Sequence, residues 1–296
     1  MEYRKLYGVV CASVCPMNSD GIVDKAGVRR LARYLVDNGI HGLYPNGTNG
    51  ESLSLTRDER REIIEIVKDE NAGKAVLYNQ CGAGTVAESY DHVRFSEKLG
   101  IDGAGLMTPV FFQMDDAAMY DYYNEILSEV AEMPVYAYNI PTRSGNDLKP
   151  DVLGRLMEQH GNLKGIKYSY SDLTRIQQYL TCCSSRQPSV LVGSDGMAMA
   201  CVLSGGDGWV SGPSAVYPKY HVELYNALKS GDIAQAKKIQ YAIIRIARSM
   251  SDIPEIPAIK YMLFKMGIIS SDYCRPPLRR LSDSEKCRLD KLLSEL

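Results

Sequence analysis

The feature that most constrains the fold is an alternation, repeated eight times, of a short apolar run with a segment of helical periodicity. Between the runs, apolar residues recur at helical spacing, as at Val28, Leu31 and Leu35. Strands that alternate with helices of this length form a parallel sheet, and eight such units can close on themselves. The sequence therefore predicts an α/β fold, a (β/α)8 TIM barrel. The predicted strands are 7–12, 40–44, 75–78, 103–107, 135–138, 163–167, 190–192 and 208–210.

A doubly wound parallel sheet is the alternative architecture for such a pattern. It usually carries a G-x-G-x-x-G loop after the first strand, and none is present here. Residues after Lys229 show helical patterns without strands, and a capping box at 282–285 opens the last of them. We therefore expect a barrel at 1–229 and a C-terminal helical extension at 230–296. Two further capping boxes are predicted at 56–59 and 85–88.

Composition narrows the function classes. The 296 residues are 45% hydrophobic and 24% charged, which excludes a disordered or fibrous protein. The 34 basic and 36 acidic residues give a net charge of −2, so a nucleic-acid or anionic-membrane partner is not expected. No signal peptide or membrane-spanning run is visible, and we expect a soluble, cytoplasmic protein.

The eight cysteines and four histidines do not form a metal-binding pattern. There is no C-x-x-C pair, and the histidines are scattered along the chain. Thiols in such positions are usually reduced and partly buried. The sequence therefore predicts neither a metal site nor a disulfide framework.

Polar residues follow three of the predicted strands, and active sites of barrels of this kind lie at the carboxyl ends of their strands. After the second strand, paired glycines permit a tight loop whose amides can converge on an anion. After the fifth, Tyr138 can relay protons and Arg143 can bind a carboxylate. At the end of the sixth, a desolvated Lys167 can attack a ketone. Each feature also has a purely structural interpretation: the glycine loop as a plain turn, Tyr138 as a core residue, and Arg143 and Lys167 as surface residues.

Together these segments resemble a known family. The order G-T-x-G-E at 47–51, Y-N-x-P-x-R-x-G at 138–145 and G-I-K at 165–167 is similar to that of the dihydrodipicolinate synthase and N-acetylneuraminate lyase family of pyruvate-dependent class I aldolases. The likeness extends through 108–109, 193–195 and 274–278. It implies a (β/α)8 barrel, usually assembled as a homotetramer.

The resemblance also implies roles for individual residues. Lys167 would form a Schiff base with pyruvate, and Tyr138 would move protons during imine formation and carbon–carbon bond making. Gly47, Thr48 and Asn49 would hold the pyruvate carboxylate. Val210, in the last strand, would also contact substrate. A protonated imine is itself an electron sink, so no cofactor or metal is expected. The expected partners are pyruvate and a small aldehyde or a keto sugar acid.

Two residues depart from the family pattern. Asn49 stands where the family commonly has threonine, and its amide can donate a hydrogen bond but cannot relay a proton as a hydroxyl does. Phe111 stands where the family often has a tyrosine that reaches across a subunit interface. The proton relay of the family therefore lacks one hydroxyl in this chain, unless water or another group replaces it.

The resemblance leaves the substrate open. Arg143 matches the arginine that synthases use toward the carboxylate of aspartate semialdehyde, so we expect 4-hydroxy-tetrahydrodipicolinate synthase activity. Ser169 and Asp195 resemble positions that contact polyols, which keeps N-acetylneuraminate lyase or 2-keto-3-deoxy sugar acid aldolase as alternatives. A non-catalytic sugar-acid-binding barrel is an alternative of another class, supported by Phe111 alone.

Overall fold

The fold is a parallel barrel with a C-terminal helical region. A computed structural model describes residues 3–296. Its eight strands are hydrogen-bonded in chain order and close into a barrel, which confirms the predicted (β/α)8 architecture. The strands are β1 Gly8–Cys11, β2 Gly42–Leu43, β3 Val76–Gln80, β4 Gly103–Met107, β5 Val135–Asn139, β6 Leu163–Tyr168, β7 Ser189–Val192 and β8 Gly208–Ser211.

Helices follow the strands as the apolar periodicity predicts. They are α1 Lys25–Asp37, α2 Arg57–Asn71, α3 Val86–Leu99, α4 Asp116–Glu129, α5 Pro141–Ser144, α6 Pro150–Gln159, α7 Leu173–Leu180, α8 Ala198–Leu203, α9 Pro218–Ser230, α10 Ile233–Ser249, α11 Glu255–Lys265 and α12 Asp283–Glu295. None of the helices in residues 3–296 is long and apolar enough to cross a bilayer.

One of two compact units of the chain contains residues up to Gly8 and Val76–Val210. Within it the parallel strands pair in sequence from β3 to β8, so that β5 lies between β4 and β6. The strands are buried almost throughout, because helices cover a parallel sheet and leave no polar face. Mostly apolar runs rather than alternating ones therefore mark these strands in the sequence.

The other unit contains Val9–Ala75 and Ser211–Leu296. Within it β1 pairs with β2 in parallel, and the short β2 leads into the loop that precedes α2. Thr56 caps α2 through the predicted capping box, with Glu59 returning the hydrogen bond. The box at Ser282 and Glu285 is likewise present at the start of α12. The predicted boundary at 229/230 falls inside α9, at its last residues.

Two local predictions need correction. At 85–88 only half of the capping box forms: Thr85 accepts from the Glu88 amide, whereas Glu88 lies 3.9 Å from His92 Nε2. The sequence after the fourth strand also predicts a helix from about residue 115 to 132, and α4 ends earlier, at Glu129. There the amide of Asn162 donates to the backbone oxygens of Leu127 and Val130, so a side chain replaces the next helical hydrogen bonds.

The packing of β6 against β7 generates a testable prediction. A Cβ at Gly165 would lie 1.8 Å from the backbone oxygen of Ser189, its partner on β7, and a backbone atom cannot move aside cheaply. We expect Gly165→Ala to lower the free energy of unfolding by about 1–3 kcal/mol or more, as overpacking does. Gly161→Ala is the control, since nothing lies within 4 Å of a Cβ there. Equal denaturation midpoints for the two variants would contradict this account of the strand packing.

Candidate active site

Lys167 and Tyr138 form the centre of the candidate site. They are register partners on β6 and β5, so their side chains lie on the same face of the sheet. The Lys167 Nζ lies 3.8 Å from the centre of the Tyr138 ring, over its face. Both side chains are nearly inaccessible, with 4% of Lys167 and 2% of Tyr138 exposed. The structure thus brings together the two residues that the sequence predicts as nucleophile and proton relay.

Apolar side chains flank this pair. Met107 on β4 is in register with Tyr138, and Leu191 on β7 is in register with Lys167. Met107, Tyr138 and Ile140 form one buried cluster, against which Val110 packs. An amine held among apolar groups beside a phenol has the surroundings of a Schiff-base lysine, since a carbonyl can approach it with little competing water.

Asn139, the second residue of the Y-N-x-P motif, lies on the opposite face of β5 from Tyr138. Its Nδ2 donates to Asp147 Oδ1 at 2.8 Å and to the Tyr179 hydroxyl at 3.0 Å, and its Oδ1 accepts from the Leu148 amide. Tyr168 on β6 is the register partner of Asn139 and lies on the same face of the sheet. Burial raises the pKa of Tyr168 to about 12, so its phenol stays protonated at neutral pH. Asn139 therefore fixes the end of β5 rather than taking part in chemistry.

A set of small polar side chains joins the segment after β4 to the segment after β5. Thr108 Oγ1 donates to Ser144 Oγ at 3.0 Å. Asn146 Nδ2 donates to the backbone oxygens of Pro109 and Phe112, and its Oδ1 accepts from the Met114 amide. Sequence reasoning missed Ser144 and Asn146, although both lie in or beside the Y-N-x-P-x-R-x-G stretch. Together they fix the path of residues 108–114.

Phe111 lies on this fixed segment and is exposed. Its φ of 76° is left-handed, which is uncommon for a bulky residue, and 89% of it is accessible. Its ring packs edge-on against Phe112, whose exposure is 70%, with 5.3 Å between the ring centres. Strained residues of this kind persist where the surroundings hold them. The left-handed backbone at Phe111, the position predicted to lack a relay hydroxyl, therefore goes with a ring that is exposed in the single chain.

Arg143 lies in the short α5, and its side chain is exposed. The helix turn is closed by the Arg143 amide, which donates to the Ile140 backbone oxygen at 3.0 Å. Within residues 3–296 its guanidinium has no ion-pair partner, so its charge is available to an anion from solvent. Val210, the predicted substrate contact in β8, is as buried as Tyr138, with 2% exposed.

The loop after β2 has the tight backbone that its glycines predict. Asn46 and Glu51 both have left-handed φ values, 58° and 56°. The Ser52 amide donates to the Gly47 backbone oxygen at 3.3 Å, and the Glu51 amide donates to that of Thr48 at 3.0 Å. A Cβ at Gly50 would meet the Gly47 amide nitrogen at 3.3 Å, so the loop closes tightly on itself.

Two side chains predicted to bind a carboxylate lie in this loop, and their settings differ. Thr48 is half-buried, whereas Asn49 is buried, with 8% exposed. The Asn49 Nδ2 lies 3.5 Å from Glu255 Oε1 at the start of α11, a contact that the sequence did not reveal. One of the two amide hydrogens of Asn49 is thus directed toward a carboxylate of the chain itself.

The described part of the chain, residues 3–296, contains no group of three or more His, Cys, Asp or Glu side chains placed to hold a metal ion. Seven of its eight cysteines are buried or half-buried thiols, and Cys287 is exposed. What the structure does place together is a buried amine and a phenol beside it.

Comparisons with known proteins agree with this geometry. A family model described as the dihydrodipicolinate synthetase family matches residues 5–296. The 4-hydroxy-tetrahydrodipicolinate synthase of Chloroherpeton thalassium is 32% identical over 301 residues, covering 100% of this chain and 97% of that protein. An uncharacterized DapA-like lyase of Thermofilum pendens is 30% identical over 277 residues, covering 93% of this chain and 92% of that protein.

Solved structures of both a synthase and an aldolase are similar to this fold. Dihydrodipicolinate synthase from Aquifex aeolicus matches with a TM-score of 0.93 and 25% identity over 98% of each chain. The sialic acid aldolase of Ruminococcus gnavus matches with a TM-score of 0.92 and 25% identity, covering 97% of this chain and 96% of that one. The chain is thus an enzyme of the lyase class and belongs to the dihydrodipicolinate synthetase family.

Proposed function

We propose that this protein is a Schiff-base-forming, pyruvate-dependent class I aldolase or synthase, with Lys167 as the nucleophile. The observation that carries the proposal is the buried Lys167 amine, 3.8 Å from the centre of the Tyr138 ring. The unprotonated amine attacks the ketone carbon of pyruvate, and loss of water from the resulting carbinolamine gives a protonated imine. The imine draws electrons from the adjacent methyl group, which loses a proton to form an enamine.

Tyr138 is the residue proposed to move these protons. Its position beside Lys167 supports a relay that delivers a proton to the departing hydroxyl of the carbinolamine and later to the alkoxide formed when the enamine attacks an aldehyde. Hydrolysis of the product imine then restores the free amine. In the cleavage direction the same steps run in reverse.

Gly47, Thr48 and Asn49 are proposed to bind the keto-acid carboxylate. The closed loop and its hydroxyl and amide groups support this role, because an anion is stabilised by several convergent donors. Asn49 contributes through the amide hydrogen that is not directed toward Glu255. Val210 is proposed to contact the substrate as an apolar surface near the end of β8.

The second substrate is proposed to be an aldehyde that carries a carboxylate, which makes aspartate semialdehyde the first candidate. The exposed guanidinium of Arg143, with no ion-pair partner in residues 3–296, supports this choice. The similarity to the Chloroherpeton 4-hydroxy-tetrahydrodipicolinate synthase, at 32% identity, supports it as well. The product would be that of a 4-hydroxy-tetrahydrodipicolinate synthase.

A polyhydroxy aldehyde or keto sugar acid is the second candidate, as for an N-acetylneuraminate lyase or a 2-keto-3-deoxy sugar acid aldolase. It is favoured by the similarity to a sialic acid aldolase structure and by the hydroxyls of Ser171 and Ser194, which lie 3.2 Å apart close in sequence to Ser169 and Asp195. Homotetramer assembly and a cytoplasmic location remain predictions. A monomeric dihydrodipicolinate synthase variant is also similar in structure, with a TM-score of 0.91 and 26% identity.

Borohydride trapping tests the role of Lys167. With pyruvate, reduction should add one reduced pyruvate mass to the peptide that contains Lys167, and Lys167→Ala should abolish the adduct. Lys164→Ala is the matched control, because Lys164 lies on the same strand but donates to the Gly161 backbone oxygen at 2.8 Å. Absence of an adduct in the unmodified protein would favour the non-catalytic sugar-acid-binding barrel. An adduct that persists in Lys167→Ala would assign the nucleophile to another residue.

Arg143→Ala tests the substrate class. Losing a charge-assisted contact to a carboxylate costs about 1.5–3 kcal/mol, so use of aspartate semialdehyde should fall by roughly one to two orders of magnitude. Formation of the pyruvate adduct should change little, and stability should be unaffected because the side chain is exposed. Steady-state assays with aspartate semialdehyde, N-acetylmannosamine, glyceraldehyde and glyoxylate provide the measurement. Equal activity of variant and parent on a neutral sugar aldehyde, with none on aspartate semialdehyde, would refute the synthase assignment.

Phe111→Tyr tests the missing hydroxyl. General acid–base help is worth roughly 10²–10⁴-fold when the group is well placed, and we expect a smaller gain from a phenol added to a site not adapted to it. Because Phe111 is 89% exposed in the single chain, the added hydroxyl should leave the unfolding free energy unchanged. A rise confined to aspartate semialdehyde supports the synthase assignment. A uniform fall across all aldehydes, with pyruvate trapping intact, would indicate another proton route and another substrate.

A further inference from the structure

A buried ion pair ties the loop after β2 to the C-terminal region. The side chains of Glu51 and Lys260 are 1% and 0% exposed, and the Lys260 amine donates to Glu51 Oε1. Lys260 also donates to the Tyr273 backbone oxygen at 2.7 Å. The other carboxylate oxygen of Glu51 accepts from the Arg275 amide at 2.8 Å. The Glu51 carboxylate and the Lys260 amine are therefore each compensated by hydrogen-bonding partners inside the protein.

The backbone at Glu51 gives this ion pair a specific mechanical task. Glu51 has a left-handed φ of 56°. It is one of the two strained residues at the ends of the loop that contains Gly47, Thr48 and Asn49. A non-glycine residue holds such a conformation only when its surroundings impose it. The carboxylate of Glu51, held by Lys260 and the Arg275 amide, here adds to the backbone hydrogen bonds that Glu51 makes with Thr48 and Ser54.

The neighbouring ionisable groups are either neutral or paired elsewhere, so they do not replace Glu51 or Lys260 as a partner. Burial raises the pKa of the Cys15 and Cys274 thiols to about 12 despite the nearby Lys260, so both are neutral at pH 7. The Arg275 guanidinium is paired with Glu59 and donates to the Ser54 backbone oxygen. Removing either Glu51 or Lys260 would therefore leave its partner charged and buried without compensation, whereas removing both charges would not.

We infer that Glu51 and Lys260 are positioning residues, which set the backbone of residues 47–49 for the carboxylate of the keto acid. The inference rests on the proposed function in taking that loop as the carboxylate-binding element. A buried ion pair is often no better for stability than an apolar pair of the same size, so stability alone does not account for its placement here. What it supplies is a fixed geometry at the strained end of a loop.

The test compares a charge-free pair with a control that breaks a different ion pair to the same C-terminal segment. In Glu51→Gln/Lys260→Met both charges are removed, and Glu51→Gln/Lys260→Gln is a second charge-free variant should the first not fold. We expect KM for pyruvate to rise by about tenfold or more, the equivalent of one lost charge-assisted contact, with a much smaller change in kcat. Glu59→Gln should lower the melting temperature but leave KM for pyruvate within about twofold, because Glu59 caps α2 and pairs with Arg275 instead.

Hydrogen exchange supplies a readout that does not depend on activity. The Glu51 and Ser52 amides are held by the Thr48 and Gly47 oxygens, and exchange in the peptide spanning 44–55 should quicken in the double variant and not in Glu59→Gln. A folded variant with unchanged exchange in that peptide and unchanged KM would overturn the inference, whatever its melting temperature. If the unmodified protein forms no pyruvate adduct on Lys167, the proposed function fails, and faster exchange would then show only that the ion pair holds the loop backbone. If the adduct forms and the double variant changes neither exchange nor KM, the positioning inference alone fails.

Discussion

The pairing of β5 with β6 in a single register is the constraint on which the candidate site depends. It places Tyr138 and Lys167 on one face and brings the amine to 3.8 Å from the ring centre. Successive side chains of a strand point to opposite faces, so a slip of one residue would turn Lys167 away and bring Ile166 to its place. Gly165 limits such a slip, since the backbone of β7 leaves no room for a side chain there. The reactive geometry is thus a property of the strand pairing rather than of a flexible loop.

Around this pair, polar side chains do mechanical rather than chemical work. Asn139 ties the end of β5 to the start of α6, and Asn146 ties residues 109–114 to the segment after α5. Each satisfies backbone groups that have no partner within a helix or strand. The Y-N-x-P-x-R-x-G motif therefore combines one residue proposed for catalysis, Tyr138, with neighbours that hold its surroundings in place.

The sequence predicts what depends on local pattern and misses what depends on distant contacts. A short apolar run such as 135–138 is typical of a strand buried on both faces, and Lys167 is conspicuous as a charge at the end of one. The end of α4 is set by Asn162, and the strained Glu51 by Lys260, which is 209 residues away along the chain. No periodicity marks such a pair, because a buried lysine and an exposed one look alike in the pattern of a single helix. The contact between the Asn49 amide and the α11 carboxylate escaped prediction for the same reason.

The proposed reaction has two halves, imine formation and addition to an aldehyde, and the contacts described above bear on them differently. For the proposed imine formation the chain has a buried amine with a phenol beside it, and a tight loop, proposed to bind the carboxylate, with a buried ion pair at its Glu51 end. For the proposed aldehyde step, the side chain at position 111 has no hydroxyl. The backbone of Phe111 is nevertheless fixed, because Asn146 donates to the backbone oxygens of Pro109 and Phe112. Asn146 fixes the backbone on both sides of Phe111, so we expect a phenol at this position to be presented from the same backbone. Selection among aldehydes is therefore expected to lie with Arg143 and the residues near Phe111 rather than with Lys167.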